Sequence, residues 1–380
     1  MIDKRKMDKL GVSTSLLGFG AMRLPVIDGK QGEVDLEKAG EMFDVAIANG
    51  VNYFDTAVFY HDGKSEEVMG KLLKKHPRES LYYATKLPVS YVKEESDVYK
   101  VFESQLENLQ TDYIDFYLLH GIGGNDIEPI KKFKILEKLE QLKNDGKIRH
   151  IGFSFHDSLE AFKKVIEIHN WDFCMIQLSY VDINHQQGIE GYNIIAEKGI
   201  PAIIMEPVRG GSLAKFNDEI SELFKPFNKD NASLASFALR WLANLPNVKV
   251  ILSGMSNMEQ IMDNVNTLTN PKPMNDDELE MLKQVKYMTE NTKAISCTRC
   301  NYCIPCPVDV NIPDVFGAYN EYYVYKNSGK FKWLISETEN NKKGASLCTS
   351  CGVCVSKCPQ KIDIPKMLKE VSETEKATEW

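Results

Sequence analysis

Short apolar runs alternate with amphipathic stretches over most of the chain. Runs such as VNYFDTA, IDFYLLH and PAIIMEP are continuously apolar or β-branched, which is typical of strands buried on both faces of a parallel sheet. The stretches between them, such as EKAGEMFDVAIANG and KILEKLEQLKNDGK, have the apolar spacing of helices. Eight strand candidates in this alternation predict an α/β fold, a (β/α)8 or TIM barrel. A doubly wound sheet is the competing arrangement, but no G-x-G-x-x-G turn follows an early strand.

Eight of the nine cysteines lie in two short runs, each ending in Cys-Pro. The run CTSCGVCVSKCP has the C-x2-C-x2-C-x3-C-P spacing of bacterial ferredoxins, in which three cysteines hold one 4Fe–4S cluster and the fourth holds the other. The run CTRCNYCIPCP is one residue shorter before its last cysteine, which leaves the role of Cys306 open. A crossed arrangement of two 4Fe–4S clusters is the simplest, with one on Cys297, Cys300, Cys303 and Cys358 and the other on Cys348, Cys351, Cys354 and Cys306.

Structural zinc and disulfides are the alternatives for these cysteines. Zinc sites usually use two separated C-x2-C pairs, and disulfides rarely persist in the cytoplasm. The two runs therefore favour iron–sulfur clusters. The remaining cysteine, Cys174, lies in the apolar run FCMIQLSY and is expected in the core.

The strand–helix alternation ends near TNPKPMNDDELEMLKQV, where two prolines interrupt the chain and an acidic stretch begins a helix. We therefore expect a barrel over residues 1–280 and a small C-terminal domain over residues 281–380. That domain is too short for a large core of its own, so the clusters would supply much of its order. We expect it to be ferredoxin-like and mostly helical.

The charge of the chain narrows the classes of partner. Its formal net charge is -8, and it has no long basic block, which argues against nucleic acid or an anionic membrane surface. No apolar run approaches the roughly 20 residues that span a bilayer. The N-terminal MIDKRKMDKL lacks the apolar region of a secretory signal, so we expect a cytoplasmic protein.

Candidate chemistry lies at the ends of the predicted strands. Function in a (β/α)8 barrel resides at the C-terminal ends of its strands. Asp55 closes the second predicted strand, Lys86 the third and His120 the fourth, and Tyr60 follows Asp55 closely enough to reach the same opening. One such residue is often an ordinary strand-to-loop transition, whereas three ionisable types at one barrel mouth favour a catalytic site.

The segments GVNYFDTAVFY, ATKLP and YIDFYLLH resemble the aldo-keto reductase family, whose catalytic tetrad is Asp, Tyr, Lys and His. The cysteine tail resembles that of a bacterial and archaeal branch of the family. The resemblance implies that Tyr60 is the general acid for a small carbonyl substrate, or the base for the alcohol. A nearby ammonium, Lys86, would favour the phenolate, while Asp55 holds Lys86 and His120 orients the carbonyl oxygen.

The resemblance also implies NAD(H) or NADP(H) bound across the barrel mouth. The implied contacts are Ser154 and Gln177 for the carboxamide, Arg209, Gly210, Gly211 and Ser212 for the pyrophosphate, and Gly254, Ser256, Gln260 and Asn264 for the adenosine phosphate. Phe155 stands where the family usually has Asn, and Met205 lies near the position of the usual stacking aromatic. The adenosine segment lacks the Lys or Arg expected for a 2′-phosphate, so NADH fits at least as well as NADPH. A flavin is a further candidate at the nicotinamide end.

Two functions compete for the joined domains. In the first, which we favour, the clusters carry electrons between a partner, such as a ferredoxin, and the barrel. Because clusters move single electrons and nicotinamide moves a hydride, a flavin or a radical-tolerant substrate is then needed. In the second, the barrel reduces carbonyls alone and the tail is a structural or partner-docking module. A redox sensor on an inactive barrel is a third alternative, which the complete tetrad disfavours.

Overall fold

The computed structural model describes residues 1–228, 232–324 and 327–377. An antiparallel hairpin of β1 (Lys4–Met7) and β2 (Val12–Ser15) precedes a closed barrel of eight parallel strands. The barrel strands are β3 (Leu17–Gly20), β4 (Tyr53–Asp55), β5 (Tyr82–Leu87), β6 (Ile114–Ile122), β7 (Ile148–Phe155), β8 (Phe173–Gln177), β9 (Ala202–Met205) and β10 (Val248–Ser253). Each strand pairs with the next in the chain, and β10 pairs with β3 to close the ring. The predicted TIM barrel is confirmed.

Helices separate the barrel strands and continue after them. They are α1 (Leu36–Ala48), α2 (Ser65–Leu73), α3 (Asp97–Leu109), α4 (Ile127–Lys132), α5 (Ile135–Asn144), α6 (Leu159–Val165), α7 (Gly188–Lys198), α8 (Asp218–Phe224), α9 (Leu234–Ala243), α10 (Met258–Leu268), α11 (Asp276–Glu290), α12 (Ile312–Tyr323), α13 (Ser328–Asn340), α14 (Val353–Lys357) and α15 (Ile364–Ala377). No helix in the described parts of the chain is both long and apolar enough to cross a membrane.

The barrel interior is filled by large apolar side chains. The Phe116 ring lies 5.1 Å from the Tyr53 ring and 5.0 Å from the Phe173 ring, both in edge-to-face geometry. Met7 of the hairpin belongs to the same buried cluster, so the hairpin helps to close one end of the barrel. The interior is therefore a packed core, and chemistry is left to the strand ends.

The chain divides into two compact units. The first comprises Met1–Pro207 and Ser236–Met274, and the second comprises Val208–Ala235 and Asn275–Trp380. The second unit thus takes the segment that follows β9, which the sequence analysis assigned to the barrel. The division at residues 280 and 281 remains a prediction.

The second unit is mostly helical, as predicted. Its core is formed by α12, α13 and α15, with buried side chains such as Phe316, Phe331 and Leu368. Segment 208–235 is tied to α12, because Asn217 Nδ2 donates a hydrogen bond of 2.9 Å to the Val324 carbonyl. Cysteine side chains complete this core and are described below.

Candidate active site and cysteine centre

Three of the four tetrad candidates meet at the ends of β4 and β5. Lys86 Nζ donates to Asp55 Oδ1 at 2.6 Å, to the Thr56 carbonyl at 2.7 Å and to Tyr60 Oη at 3.4 Å. Asp55 and Lys86 are each 1% exposed. A buried ammonium needs such partners, because an uncompensated charge in the interior is costly. The ammonium therefore links the carboxylate to the tyrosine hydroxyl.

The loop that carries Tyr60 is held in an unusual backbone conformation. His61, Asp62 and Gly63 all have positive φ angles, of 52°, 51° and 84°, which non-glycine residues seldom adopt. His61 is buried and anchors the loop, because its Nε2 accepts from the Leu24 N–H at 3.1 Å and its Nδ1 lies 3.0 Å from the Gln31 carbonyl. No sequence motif pointed to His61, and the structure shows that it fixes the position of this loop.

His120 faces the same opening from β6. Its ring lies 6.2 Å from the Tyr60 ring in edge-to-face geometry and 5.5 Å from the Phe59 ring. Burial, together with the charge of Lys86 and the neighbouring His156, lowers the pKa of His120 well below its usual value. His120 is therefore neutral near pH 7 and can donate one N–H. The structure brings all four tetrad candidates together.

A buried network that the sequence analysis missed lies behind Lys86. The Glu66 carboxylate accepts from Thr85 Oγ1 at 2.6 Å and from Gln105 Nε2 at 2.9 Å. Gln105 Nε2 also lies 2.9 Å from the Lys86 carbonyl. Burial raises the pKa of Glu66, and burial likewise raises that of Asp55 against the opposing charge of Lys86. These polar groups fix the backbone that carries Lys86.

Ser154 and Gln177, the carboxamide candidates, are buried at the ends of β7 and β8. Ser154 Oγ accepts from the Gly121 N–H at 2.7 Å. Gln177 Nε2 donates to Asp182 Oδ2, and Gln177 Oε1 accepts from Gln186 Nε2, both at 3.4 Å. These two hydrogen bonds are long and hence weak, so a ligand amide can replace them at small cost. The pair fits a carboxamide.

The adenosine-phosphate candidates lie in the turn after β10 and in the first two turns of α10. The Ser256 N–H donates to Gln260 Oε1 at 2.8 Å, and Asn264 Nδ2 donates to Ser253 Oγ at 3.0 Å. Gly254 directly follows β10. A β carbon there would lie 3.1 Å from Arg23 Cδ, so the Arg23 side chain packs on this glycine. Arg23 brings a cationic side chain to a segment in which the sequence showed none, and the motif GAMRLP after β3 was the overlooked signal.

The pyrophosphate candidates Arg209, Gly210, Gly211 and Ser212 belong to the second unit. A β carbon on Gly210, where φ is 63°, would lie 2.3 Å from the Thr298 carbonyl oxygen. Gly211 has a φ of 96° and no atom within 4 Å of such a carbon. Gly210 is therefore required by its packing on the first cysteine run, whereas open space for a ligand exists beside Gly211.

The first group of thiols surrounds Cys303. Burial raises the pKa of this thiol to about 12, and the neighbouring thiols raise it further; they are Cys300, Cys297 and Cys358. The Arg299 N–H donates to Cys297 Sγ at 3.4 Å. The last cysteine of the second run thus lies with the first three of the first run.

The second group surrounds Cys354. Burial raises the pKa of this thiol as well, and the neighbouring thiols that raise it further are Cys306, Cys348 and Cys351. The two groups are those of the crossed arrangement. Cysteine side chains also belong to the core of the second unit, where Cys303, Cys354 and Cys358 are each 8% exposed.

The donor set fits iron–sulfur clusters better than the alternatives. All nine cysteines are free thiols in the structure. Within the described ranges, no three His, Cys, Asp or Glu side chains converge tightly enough for one metal ion. Buried thiols with raised pKa values also need a cationic centre to become thiolates.

Two family models match the chain, one for each part of the prediction. The model described as Aldo/keto reductase family matches residues 16–286. The model described as 4Fe-4S dicluster domain matches residues 296–362. Together they support the combination that the sequence analysis expected from the tetrad motifs and the two cysteine runs.

Curated relatives and solved structures agree on the barrel. The chain is 27% identical to the uncharacterized oxidoreductase YqkF of Bacillus subtilis, over 74% of this chain and 95% of that protein. It is also 27% identical to the L-galactose dehydrogenase of Arabidopsis thaliana, over 78% of this chain and 97% of that protein. The holo form of an aldo-keto reductase from Bacillus halodurans superposes with a TM-score of 0.63 at 26% identity, covering 75% and 96% of the two chains.

Proposed function

This chain is an oxidoreductase of the aldo/keto reductase family that carries a 4Fe-4S dicluster domain, and on that premise we propose its reaction. It interconverts small carbonyls and alcohols with NAD(H) or NADP(H), and this chemistry is coupled to electron transfer through two 4Fe–4S clusters. The observation that carries the proposal is the chain of contacts from Asp55 through Lys86 to Tyr60, with His120 facing the same hydroxyl-bearing ring.

Each side chain has a distinct task in carbonyl reduction. Tyr60 Oη gives its proton to the carbonyl oxygen, and the Lys86 ammonium at 3.4 Å stabilises the phenolate that remains. Asp55 keeps Lys86 charged and in place. His120, held neutral by burial, donates an N–H to the same carbonyl oxygen. Positioned acid catalysis of this kind contributes roughly 100- to 10,000-fold.

The nicotinamide cofactor supplies the hydride when it is bound. Ser154 and Gln177 would hold its carboxamide, and the open side of Gly211 would face a phosphate. The Arg23 side chain beside Gly254 adds a cation for the adenosine end. A relative named NADH-specific methylglyoxal reductase, from Escherichia coli, is 25% identical over 68% of this chain and 90% of that protein. That relative supports a small carbonyl substrate and NADH.

Electron-transfer coupling is supported by the two crossed thiol groups, which would hold one cluster each. Cys297, Cys300, Cys303 and Cys358 form one ligand set, and Cys306, Cys348, Cys351 and Cys354 form the other. Because nicotinamide gives two electrons as a hydride and a cluster accepts one, a flavin or a radical-tolerant substrate is part of the proposal.

A second candidate function has one observation in its favour. The thiols of Cys303, Cys354 and Cys358 lie in the core of the second unit. Clusters there would stabilise that unit even if no electron reached the barrel. In this version the protein is a carbonyl reductase with a structural tail.

An anaerobic titration separates the two candidates. The holoprotein is mixed with NADH, and separately with NADPH, while visible absorbance and EPR spectra are recorded and any released flavin is identified. Coupling predicts bleaching and a reduced-cluster EPR signal. If the clusters stay oxidised while carbonyls are rapidly reduced, the coupling is rejected and the second candidate, a carbonyl reductase with a structural tail, is retained.

The variant Tyr60→Phe tests the catalytic assignment independently. It removes the proton donor but keeps the ring that packs beside His120. We expect carbonyl reduction to fall by roughly 100- to 10,000-fold with unchanged NADH binding and iron content. Full activity in this variant would reject the assignment and revive the redox-sensor alternative.

A further inference from the structure

A basic surface surrounds the second cysteine run in an otherwise acidic chain. The chain has a net charge of -8, yet residues 341–370 contain six lysines and only two acidic residues. Five of these lysines are exposed and form no ion pair within the described residues 1–228, 232–324 and 327–377; they are Lys342, Lys343, Lys357, Lys361 and Lys366. We name these five side chains the basic face.

The fold gathers the basic face around one group of thiols. The turn Ala345–Leu347 leads directly to Cys348, whose N–H donates to the Ala345 carbonyl at 3.1 Å. Helix α14 ends at Lys357, and the Lys361 N–H donates to the Cys358 carbonyl at 3.1 Å. Helix α15 packs against both the turn and α14. Lysines that are distant in sequence therefore lie around the second run.

Apolar side chains are exposed in the same segment. Leu347, Val353 and Val355 are 37%, 42% and 37% exposed, and Cys351, a proposed cluster ligand, is exposed as well. Scattered surface hydrophobics are ordinary. Here three of them flank the most accessible of the eight thiols and are bordered by lysines, which is the pattern of an apolar centre with a charged rim.

The remainder of the unit has the opposite charge. Helix α11 contains five acidic residues and two lysines, and the Glu339 carboxylate near the basic face is already bonded to Ser346. Within the first run, Cys303 is buried. Arg299 and Ile304 of the first run are exposed, but the five lysines of the basic face are concentrated around the second run.

We propose that the basic face is the docking surface for a small, acidic one-electron carrier protein, of the ferredoxin or flavodoxin type. This inference rests on the proposed electron-transfer function. Opposite charges steer such a carrier to the surface and raise its association rate, and the exposed aliphatic side chains supply contact area. The reduced carrier would lose one electron and be oxidised, and the oxidised 4Fe–4S cluster that the thiol group of Cys351 would hold would gain that electron and be reduced; no proton or further reactant is needed.

The test uses the holoprotein and a recombinant, acidic bacterial 2[4Fe–4S] ferredoxin as the probe. Lys357→Glu/Lys361→Glu and Lys342→Glu/Lys343→Glu are compared with a control of equal charge change, Lys74→Glu/Lys147→Glu, on exposed barrel positions. Anaerobic stopped-flow mixing with reduced ferredoxin gives the second-order rate constant over a series of salt concentrations. Iron content and NADH-dependent carbonyl reduction are measured on each variant.

We expect both basic-face variants to lower the rate constant for electron transfer by about tenfold or more at low salt, and we expect this rate constant to depend little on salt. The control variant should keep the rate constant and the salt dependence of the wild type. Lys357→Glu/Lys361→Glu could lose iron because these lysines lie close to Cys358 in sequence. Lys342 and Lys343 precede the second cysteine run, so the Lys342→Glu/Lys343→Glu variant still tests the proposal in that case. Unchanged rates in an iron-replete variant would overturn the proposal. So would salt-dependent binding to anionic vesicles or DNA without reaction with the ferredoxin.

The two proposals fail in distinguishable ways. If NADH does not reduce the protein but ferredoxin does so through the basic face, the coupling to the barrel is wrong and the docking surface stands. If NADH reduces the clusters but no variant changes the ferredoxin rate, the coupling stands and the docking surface is rejected.

Discussion

In the barrel, the charged groups of the candidate site are held by strand ends and by one another, whereas in the second unit the candidate ligands are themselves part of the core. Asp55 Oδ1 and Lys86 Nζ form an ion pair at 2.6 Å, so each charge is balanced by the other. Cys303, Cys354 and Cys358 are buried among the apolar side chains of the second unit's core. The barrel site is therefore preorganised by the chain alone, whereas we expect the second unit to need its metal to be complete.

Removing iron should have the largest effect, and it should affect the second unit but not the barrel. Oxidation in the presence of a chelator would leave the thiols of the second unit buried without a compensating centre. We expect residues 295–324 and 341–371 to lose most of their amide hydrogen-exchange protection, while β4, β5 and β6 keep theirs. Protein taken through the same steps without the chelator is the control. Full protection of the iron-free second unit would show that its core does not depend on metal.

Breaking the ion pair of the barrel should have the next largest effect. Lys86→Met leaves the Asp55 carboxylate buried without its partner, so we expect a loss of about 3–5 kcal/mol in the free energy of unfolding. Lys71→Met, which removes the exposed ion pair with Glu67 at 2.6 Å, is the matched control and should change stability little. Chemical denaturation monitored on the barrel measures both. Equal stability of the two variants would contradict the preorganised site.

The regular parts of both regions could be predicted from sequence because their signals are local. Continuous apolar strands ending in Asp55, Lys86 and His120 indicated a barrel mouth, and two cysteine runs ending in Cys-Pro indicated clusters. The missed features depend on contacts between distant segments. The anchoring of the Tyr60 loop by His61 requires the Leu24 and Gln31 backbone, and no local pattern records that meeting.

Segment 208–235 shows the same limit. The sequence predicted that Gly210 and Gly211 belong to one phosphate-binding loop, because a glycine lets the backbone N–H groups come close to a phosphate. The structure separates them: Thr298 packs on Gly210, and open space lies beside Gly211. This segment follows β9 in sequence but groups with the cysteine unit in the structure.

Alanine variants of the two glycines test whether Gly210 serves packing and Gly211 serves ligand binding. Both alanine replacements introduce a strained positive φ, but Gly210→Ala also places a carbon 2.3 Å from the Thr298 carbonyl oxygen. We expect Gly210→Ala to destabilise the second unit by about 1–3 kcal/mol more than Gly211→Ala. Gly211→Ala should instead weaken NADH binding. Thermal unfolding and nucleotide titration of the two holoproteins measure these effects, and the reverse order would disprove the assigned roles.

Acid should affect the barrel through its buried histidines, since all seven histidines of the chain precede residue 208. Burial lowers the pKa of His150 to about 4, and its ring lies 5.1 Å from Phe116. The unfolded chain binds this proton near pH 6.5 and the folded barrel does not. The contribution of neutral His150 to the free energy of unfolding is therefore fully present above about pH 6.5. It is lost as the pH drops toward about 4, by at most about 1.4 kcal/mol per pH unit for one proton.

The variant His150→Gln lacks this titrating group, so the free energy of unfolding of the variant should depend less steeply on pH across that window. His76→Gln, at a partly exposed histidine whose Nε2 lies 2.9 Å from Asp44 Oδ1, is the control. Identical pH slopes for wild type and His150→Gln would show that His150 is not held neutral in the barrel.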